Sequence, residues 1–176
     1  GAVSAKLVES LGATFTLVGH SERRHYFHEK GPLIQEKLKR ALSRSVQPIL
    51  CIGETIEQRE SGQMEATLTQ QLHEALEGLK EEELARVVIA YEPVWAIGTG
   101  QHATPEIAQE THFFCRQLIE KGWGEALASS LPMIYGGSVS PSNAKALMDQ
   151  QDIDGVLVGG ASLDPGSFLQ IIEYER

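Results

Sequence analysis

The side chains able to do acid–base or anion-binding chemistry stand in short polar clusters, each directly after an apolar run. Glu92 follows Val87–Tyr91, and His20 follows Thr14–Val18 with one glycine between. Gly53-Glu54-Thr55 follows Pro48–Ile52, Gly136-Gly137-Ser138 follows Met133–Tyr135, and Gly159-Gly160 follows Ile153–Val158. A carboxylate placed like Glu92 serves either as a salt-bridged strand-end residue or as a general base. The loop after it, from Pro93 to Gly100, is apolar and contains glycine, and could close over a ligand and exclude water. Burial against Trp95 and Ile97 would then raise the carboxyl pKa toward neutrality, where a general base works best.

His20 precedes Ser21-Glu22-Arg23-Arg24, where a short helix can start. A helix N-terminus aimed at the ring disfavours imidazolium and leaves a neutral imidazole able to donate and accept protons. A satisfied structural histidine is the alternative. Arg23, Arg24 and Glu54 read as ion pairs holding the strand-end loops. The glycine pairs are either tight turns or backbone amides presented to a phosphate, with the Ser138 hydroxyl as a further donor. Gly98-Thr99-Gly100-Gln101-His102-Ala103 matches a dinucleotide-binding fingerprint but does not follow its strand directly, so the match reads as chance.

The elements that must position these groups alternate along the chain. The five apolar runs are short and nearly continuous in hydrophobicity, as in strands buried on both faces. Between them, apolar residues recur three and four apart. The spacing predicts a helix from Gly31-Pro32 through Leu33, Ile34, Leu38 and Leu42, and another from Gln63 to Leu79. Thr104-Pro105 predicts a third start, with Thr as N-cap and Pro at the first helical position, and Ser140-Pro141 and Asp164-Pro165 repeat the device. An opening amphipathic segment, Val3 to Leu11, ends at Gly12. One helix followed by five strand–helix units implies a parallel sheet, either an open doubly wound sheet or a barrel. Residues 1–176 read as one domain. In either architecture the clusters after the strands open on one face, where such proteins build their sites.

Composition narrows the classes. A formal net charge of −9 and the lack of a basic stripe argue against nucleic acid, and no apolar run reaches the length of a membrane span. Cys51 and Cys115, far apart in sequence, read as buried free thiols in a reducing cytosol rather than as a disulfide. A cytoplasmic location is the corresponding expectation.

Five segments in order resemble the signature segments of the triosephosphate isomerase family: Gly19-His20-Ser21-Glu22-Arg23-Arg24, Cys51-Ile52-Gly53-Glu54-Thr55, the stretch from Ala90 to Gly100, Tyr135-Gly136-Gly137-Ser138-Val139, and Leu157 to Leu163. The resemblance runs from Gly1 to the last helix. It implies a (β/α)8 TIM barrel fold, present here as a partial barrel of five parallel strands, strands four to eight, with flanking helices. It also implies interconversion of dihydroxyacetone phosphate and glyceraldehyde 3-phosphate through an enediolate, without metal or organic cofactor. By that resemblance Glu92 moves the proton between substrate carbons and the neutral His20 polarises the carbonyl, roles already established for this family. Ser21 would hold the His20 ring and Glu22 would pair with a catalytic lysine.

The amides of Gly98, Gly159 and Gly160 and the Ser138 hydroxyl would take the substrate phosphate. Residues 93–103 would form a closing lid, with Pro93-Val94-Trp95 and Gln101-His102-Ala103 as its hinges and Tyr135 beside it; lid closure too is an established property of the family. Leu157 and Ile97 would clamp Glu92. Gln101 stands where members often have Lys, and Ala2 where they usually have Glu. The family's first strand, with its asparagine and lysine, has no counterpart among these residues; the expectation is therefore a chain of doubtful activity alone, which self-associates through its open edges or pairs with a complementary N-terminal segment. An inactive phosphate-binding module and a purely structural fragment are the alternatives.

Overall fold

The computed structural model describes residues 3–96 and 103–175. Each apolar run becomes a strand: β1 Phe15–Val18, β2 Gln47–Ile52, β3 Val88–Tyr91, β4 Met133–Tyr135 and β5 Gly155–Val156. The helices in chain order are α1 Ala5–Ser10, α2 Ser21–Tyr26, α3 Gly31–Leu42, α4 Ile56–Glu60, α5 Met64–Leu76, α6 Glu81–Leu84, α7 Pro105–Trp123, α8 Glu125–Ser130, α9 Ala144–Met148 and α10 Pro165–Ile172.

The sheet is parallel throughout and its strands neighbour one another in sequence order, β1-β2-β3-β4-β5. That order decides between the two architectures left open by periodicity. Right-handed crossovers between successive neighbours put every helix on the same side of the sheet, whereas a doubly wound sheet must reverse its strand order. Accordingly α3 packs on α5, α5 on α7 and α7 on α9, one continuous helical layer behind one sheet. The result is an open arc of a barrel.

The core lies between these layers. β3, at the centre of the sheet, is buried along its whole length, while Leu38, Leu68, Leu72, Leu76 and Ile119 face it from the helices. β1 pairs only with β2, and Phe15 and Leu17 stay 52% and 42% exposed, so the expectation of burial on both faces fails at this edge. β5 is shorter than the predicted 153–158. Its neighbour Asp154 turns its carboxylate onto the Met133 N–H (2.7 Å), and with no strand beyond, the ladder ends at the Leu157 N–H to Tyr135 carbonyl bond (2.8 Å).

Helix boundaries follow their caps. Thr104 and Asp164 cap α7 and α10 with their side chains ahead of Pro105 and Pro165, as predicted. The Ser140-Pro141 start does not form. Instead the Asn143 side chain accepts from the Ser140 N–H (2.8 Å), closing a turn that delays α9 to Ala144. α5 ends at Leu76 rather than Leu79 because Glu77 leaves helical geometry and Gly78 takes φ +74°. Both cysteines are free and buried, and among the described residues no helix is long and apolar enough to cross a membrane.

α7 also carries a buried histidine that composition does not single out. His112 lies edge-on to Tyr91 (ring centroids 5.7 Å), with Nδ1 3.1 Å from the Asp152 carbonyl oxygen. Burial pushes its pKa down to about 4 from 6.5. A histidine held neutral by folding contributes stability that is complete above its unfolded pKa and lost as pH falls from there through the folded value. We therefore expect about 3 kcal/mol of His112-linked stability to disappear between pH 6.5 and 4, read from urea midpoints across that range. In His112→Gln that increment of pH dependence should be absent.

Candidate functional site

The C-terminal ends of the strands carry the polar clusters, and four of the five clusters surround one cavity of about 390 Å³. Leu17 and His20 come from the end of β1, Glu92 and Ala96 from β3, residues 136–139 from β4 and residues 157–161 from β5. The fifth cluster, after β2, does not reach the cavity. It stands behind Glu92 and supports it.

Glu92 is 2% exposed. Its Oε1 lies 3.1 Å from His20 Nε2, and its Oε2 accepts the Ser21 N–H at 3.0 Å. Burial raises its pKa above the ordinary carboxylate value, opposed by His20 and by the Ser21 N–H. The direction is that expected from sequence, and the contacts of Trp95 run to the residues behind Glu92. Its indole N–H donates to Glu54 Oε1 (2.8 Å), and its ring lies over the Arg59 guanidinium. The close neighbour of Glu92 is Gly136, where a Cβ would stand 3.0 Å from Glu92 Cγ and 3.6 Å from Leu157 Cδ2. Leu157, expected as a clamp, borders Gly136 and lines the cavity, while Ile97 lies outside the described residues. So do Gly98, Gln101 and His102 of the segment expected to form a lid, and Ala2.

His20 is the N-cap of α2, and its Nδ1 accepts the Glu22 N–H at 3.3 Å. An acceptor at Nδ1 puts the ring proton on Nε2, which then donates toward Glu92. The helix start thus occupies Nδ1 and leaves Nε2 turned to the Glu92 carboxylate at the cavity. Ser21, expected to hold the His20 ring, reaches the Glu92 carboxylate with its backbone N–H. Glu22 contributes its N–H to the cap, and its side chain is exposed.

Of the three expected ion pairs, two form. Arg23 pairs with the buried Glu29 (2.7 Å) and Glu54 with Arg59 (2.9 Å). Glu54 Oε1 also takes the Tyr91 hydroxyl (3.0 Å), tying it to the Pro93-side hinge through Trp95 and the Val94 N–H to Glu54 carbonyl bond (3.1 Å). Arg24 has no carboxylate partner among the described residues. It donates to the carbonyls of Gly19 (2.6 Å) and Cys51 (2.9 Å), bracing the ends of β1 and β2 against each other. Cys51, which the sequence reading gave no role beyond burial, stands beside Glu92, and burial with that carboxylate keeps its thiol protonated.

The two glycine pairs differ in what requires them. A Cβ on Gly137 would stand 2.2 Å from the Tyr135 hydroxyl oxygen and 2.9 Å from Pro93 Cγ, so close packing demands glycine there. On Gly159 or Gly160 a Cβ would meet nothing within 4 Å. No contact with the protein requires glycine at either position. Gly160 opens a 3₁₀ turn through Leu163, whose first N–H groups have no acceptor within the turn. The exposed Ser138 lies across the cavity, its carbonyl held by Asn143 Nδ2 (2.9 Å). Tyr135 and Ala103 are both buried. Among the described residues lining the cavity there is no lysine or arginine, and no group of three or more metal-ligating side chains occurs.

A family model described as triosephosphate isomerase matches residues 1–175. A curated triosephosphate isomerase of Protochlamydia amoebophila is 50% identical over 172 residues, covering 98% of this chain and 65% of that protein. Those of Solibacter usitatus and Fusobacterium nucleatum are 47% and 49% identical, over 99% and 98% of this chain and 70% and 69% of their own lengths. The chain thus spans about two thirds of the relatives it matches.

Proposed function

The chain belongs to the triosephosphate isomerase family, and from that premise we propose that its cavity binds a phosphorylated three-carbon substrate and moves a proton between adjacent carbons, interconverting dihydroxyacetone phosphate and glyceraldehyde 3-phosphate. The observation that carries the reading is the pairing of a buried carboxylate of raised pKa, Glu92, with the Nε2–H of a neutral His20 at one end of an open cavity. Glu92 is the base. His20 donates to the substrate carbonyl and shuttles the proton on the enediolate oxygens, as is established for the family. Gly159, Gly160 and Ser138 hold the phosphate at the other side of the cavity, with Gly98 joining them when the lid, Pro93, Val94, Trp95, Ile97 and Ala103 among its residues, closes. Tyr135 and Leu157 back the lid and the base.

Both oxygens of Glu92 are occupied by His20 and Ser21. The carboxylate must leave at least the His20 contact to reach a substrate carbon, and substrate entering between the two residues supplies the carbonyl that His20 then engages. Neither a metal nor an organic cofactor is part of this scheme. Among the described residues lining the cavity His20 is the side-chain donor to the enediolate oxygens, and removal of one such donor costs ~3–4 kcal/mol in rate. The open edges of β1 and β5 belong to the same reading, as the places where a second copy or a complementary N-terminal segment pairs.

The test is isomerisation of glyceraldehyde 3-phosphate by the chain, with binding of 2-phosphoglycolate measured alongside by calorimetry and assembly by sedimentation at tens of micromolar. Turnover inhibited by 2-phosphoglycolate supports the isomerase. Saturable binding without turnover reduces the chain to a phosphate-binding module, and neither would sink the proposal. A monodisperse monomer would refute pairing between copies through the edges.

A further inference from the structure

The position of Glu92 depends on a residue outside the cavity. Its N–H donates to the Ile52 carbonyl (2.7 Å). Its own carbonyl oxygen lies so close to Gly53 that a Cβ there would stand 1.7 Å from it. Gly53 is thus the surface against which the backbone of Glu92 rests as it leaves β3. Just beyond β2, Gly53 has both its peptide groups held by one side chain. Its N–H donates to Gln71 Oε1 (2.9 Å), and its carbonyl accepts from Gln71 Nε2 (3.0 Å). Gln71 sits on α5, which is anchored by the buried Leu68, Leu72, Ala75 and Leu76.

We propose that Gln71 is a positioning residue for Glu92: its carboxamide fixes the two peptide planes of Gly53, and these fix where the Glu92 backbone, and with it the carboxylate, stands relative to His20 and Ser21. The inference rests on the reading of Glu92 as the base. The chemistry of the clamp is demanding. It needs a donor and an acceptor on one planar group at the end of two methylenes. Asparagine is one methylene short. Glutamate offers two acceptors and sets an oxygen against the Gly53 carbonyl, and methionine fills the volume with neither function. Freed of the clamp, the two peptide planes of Gly53 can tilt, and the support behind Glu92 weakens. Displacements of this order at a reacting group lower rates by an order of magnitude or more.

The experiment compares Gln71→Met and Gln71→Glu with the unaltered chain. The Glu92 carboxyl is followed by ¹³C NMR titration, with Glu92→Gln identifying its resonance, and kcat and KM are measured where turnover is present. We expect Gln71→Met to lower kcat roughly tenfold with KM within about twofold. We also expect its Glu92 titration to move down toward the ordinary carboxylate range, because a displaced carboxylate gains water. Gln71→Glu should lower kcat further, whereas the charge it adds near Glu92 opposes the downward titration shift. Should Gln71→Met not fold, Gln71→Leu, which likewise removes donor and acceptor without adding a charge, decides. An unchanged Glu92 titration with unchanged kcat in a folded variant overturns the proposal, even if thermal stability has fallen. In a chain without turnover the titration decides by itself, so failure of the isomerase reading and failure of the Gln71 inference are read separately.

Discussion

Glu92→Gln is expected to lower isomerisation by this chain about a thousandfold, the scale of removing a positioned general base, while leaving its stability at pH 8 no lower. The two halves follow from the same geometry. The carboxylate accepts one hydrogen bond from His20 Nε2 and one from the Ser21 N–H, and an amide of the same shape has only one oxygen, so one of the two is lost. Against that stands the cost of a buried charge, the main cause of the raised pKa. Removing the charge offsets the lost bond.

The sign with pH is then fixed. A carboxyl whose folded pKa lies above its unfolded value binds protons more tightly when folded, so the wild type gains stability relative to the variant as pH falls from the folded value toward 4.5. Activity runs the other way, because the base must be unprotonated, and the acid limb of kcat/KM should lie above the ordinary carboxylate range. A stopped assay and thermal unfolding from pH 5 to 8 check both halves. A variant that is both inactive and clearly destabilised at pH 8 would show that Glu92 serves folding first.

Gly53→Ala is expected to cost about 4 kcal/mol or more, or to prevent folding, because the clash cannot be relieved by a side-chain rotation. The new methyl carbon would stand 1.7 Å from the Glu92 carbonyl oxygen and 2.7 Å from its carbonyl carbon. Both are backbone atoms, pinned by the Glu92 N–H to Ile52 carbonyl bond (2.7 Å) and the Gly136 N–H to Tyr91 carbonyl bond (2.7 Å). Relief means separating β2 from β3 at the point that aims the base. The informative control is Gly160→Ala. There a Cβ meets nothing, so stability should stay within about 0.5 kcal/mol, while affinity for 2-phosphoglycolate falls if the phosphate lies against that amide. Urea unfolding and calorimetry of the two variants separate a glycine required by the protein from one required by its ligand. Equal stability losses at both positions would remove that distinction.

Much of the site could be read because its chemistry sits at strand ends. His20, Glu92, Ser138, Gly159 and Gly160 were recognisable from their residue types and from the runs before them, and the structure brings all five to one cavity. The supporting residues were harder to see. Gln71 is a polar residue on an amphipathic helix, indistinguishable by periodicity from its solvated neighbours, and the distance of 18 residues to Gly53 carries no local signal. Arg24 read as an ion pair because arginine usually finds a carboxylate, yet it braces two carbonyls. Trp95 read as cover for Glu92 because it is adjacent in sequence, but a rigid indole with one N–H goes to the buried acceptor, Glu54.

Local sequence sets the alternation of strands and helices, the caps at Thr104 and Asp164, and which residue types follow each strand. These are consequences of local periodicity and of backbone groups that must be satisfied within a few residues. Tertiary packing alone places the loop after β2 behind Glu92 instead of on the cavity wall, and shows that Gly53 and Gly137 are required by contacts while Gly159 and Gly160 are not. Those distinctions depend on which backbone atoms from distant segments come within a few ångströms of one another. Strand order and register set those distances, and neither is written in any short stretch of the chain.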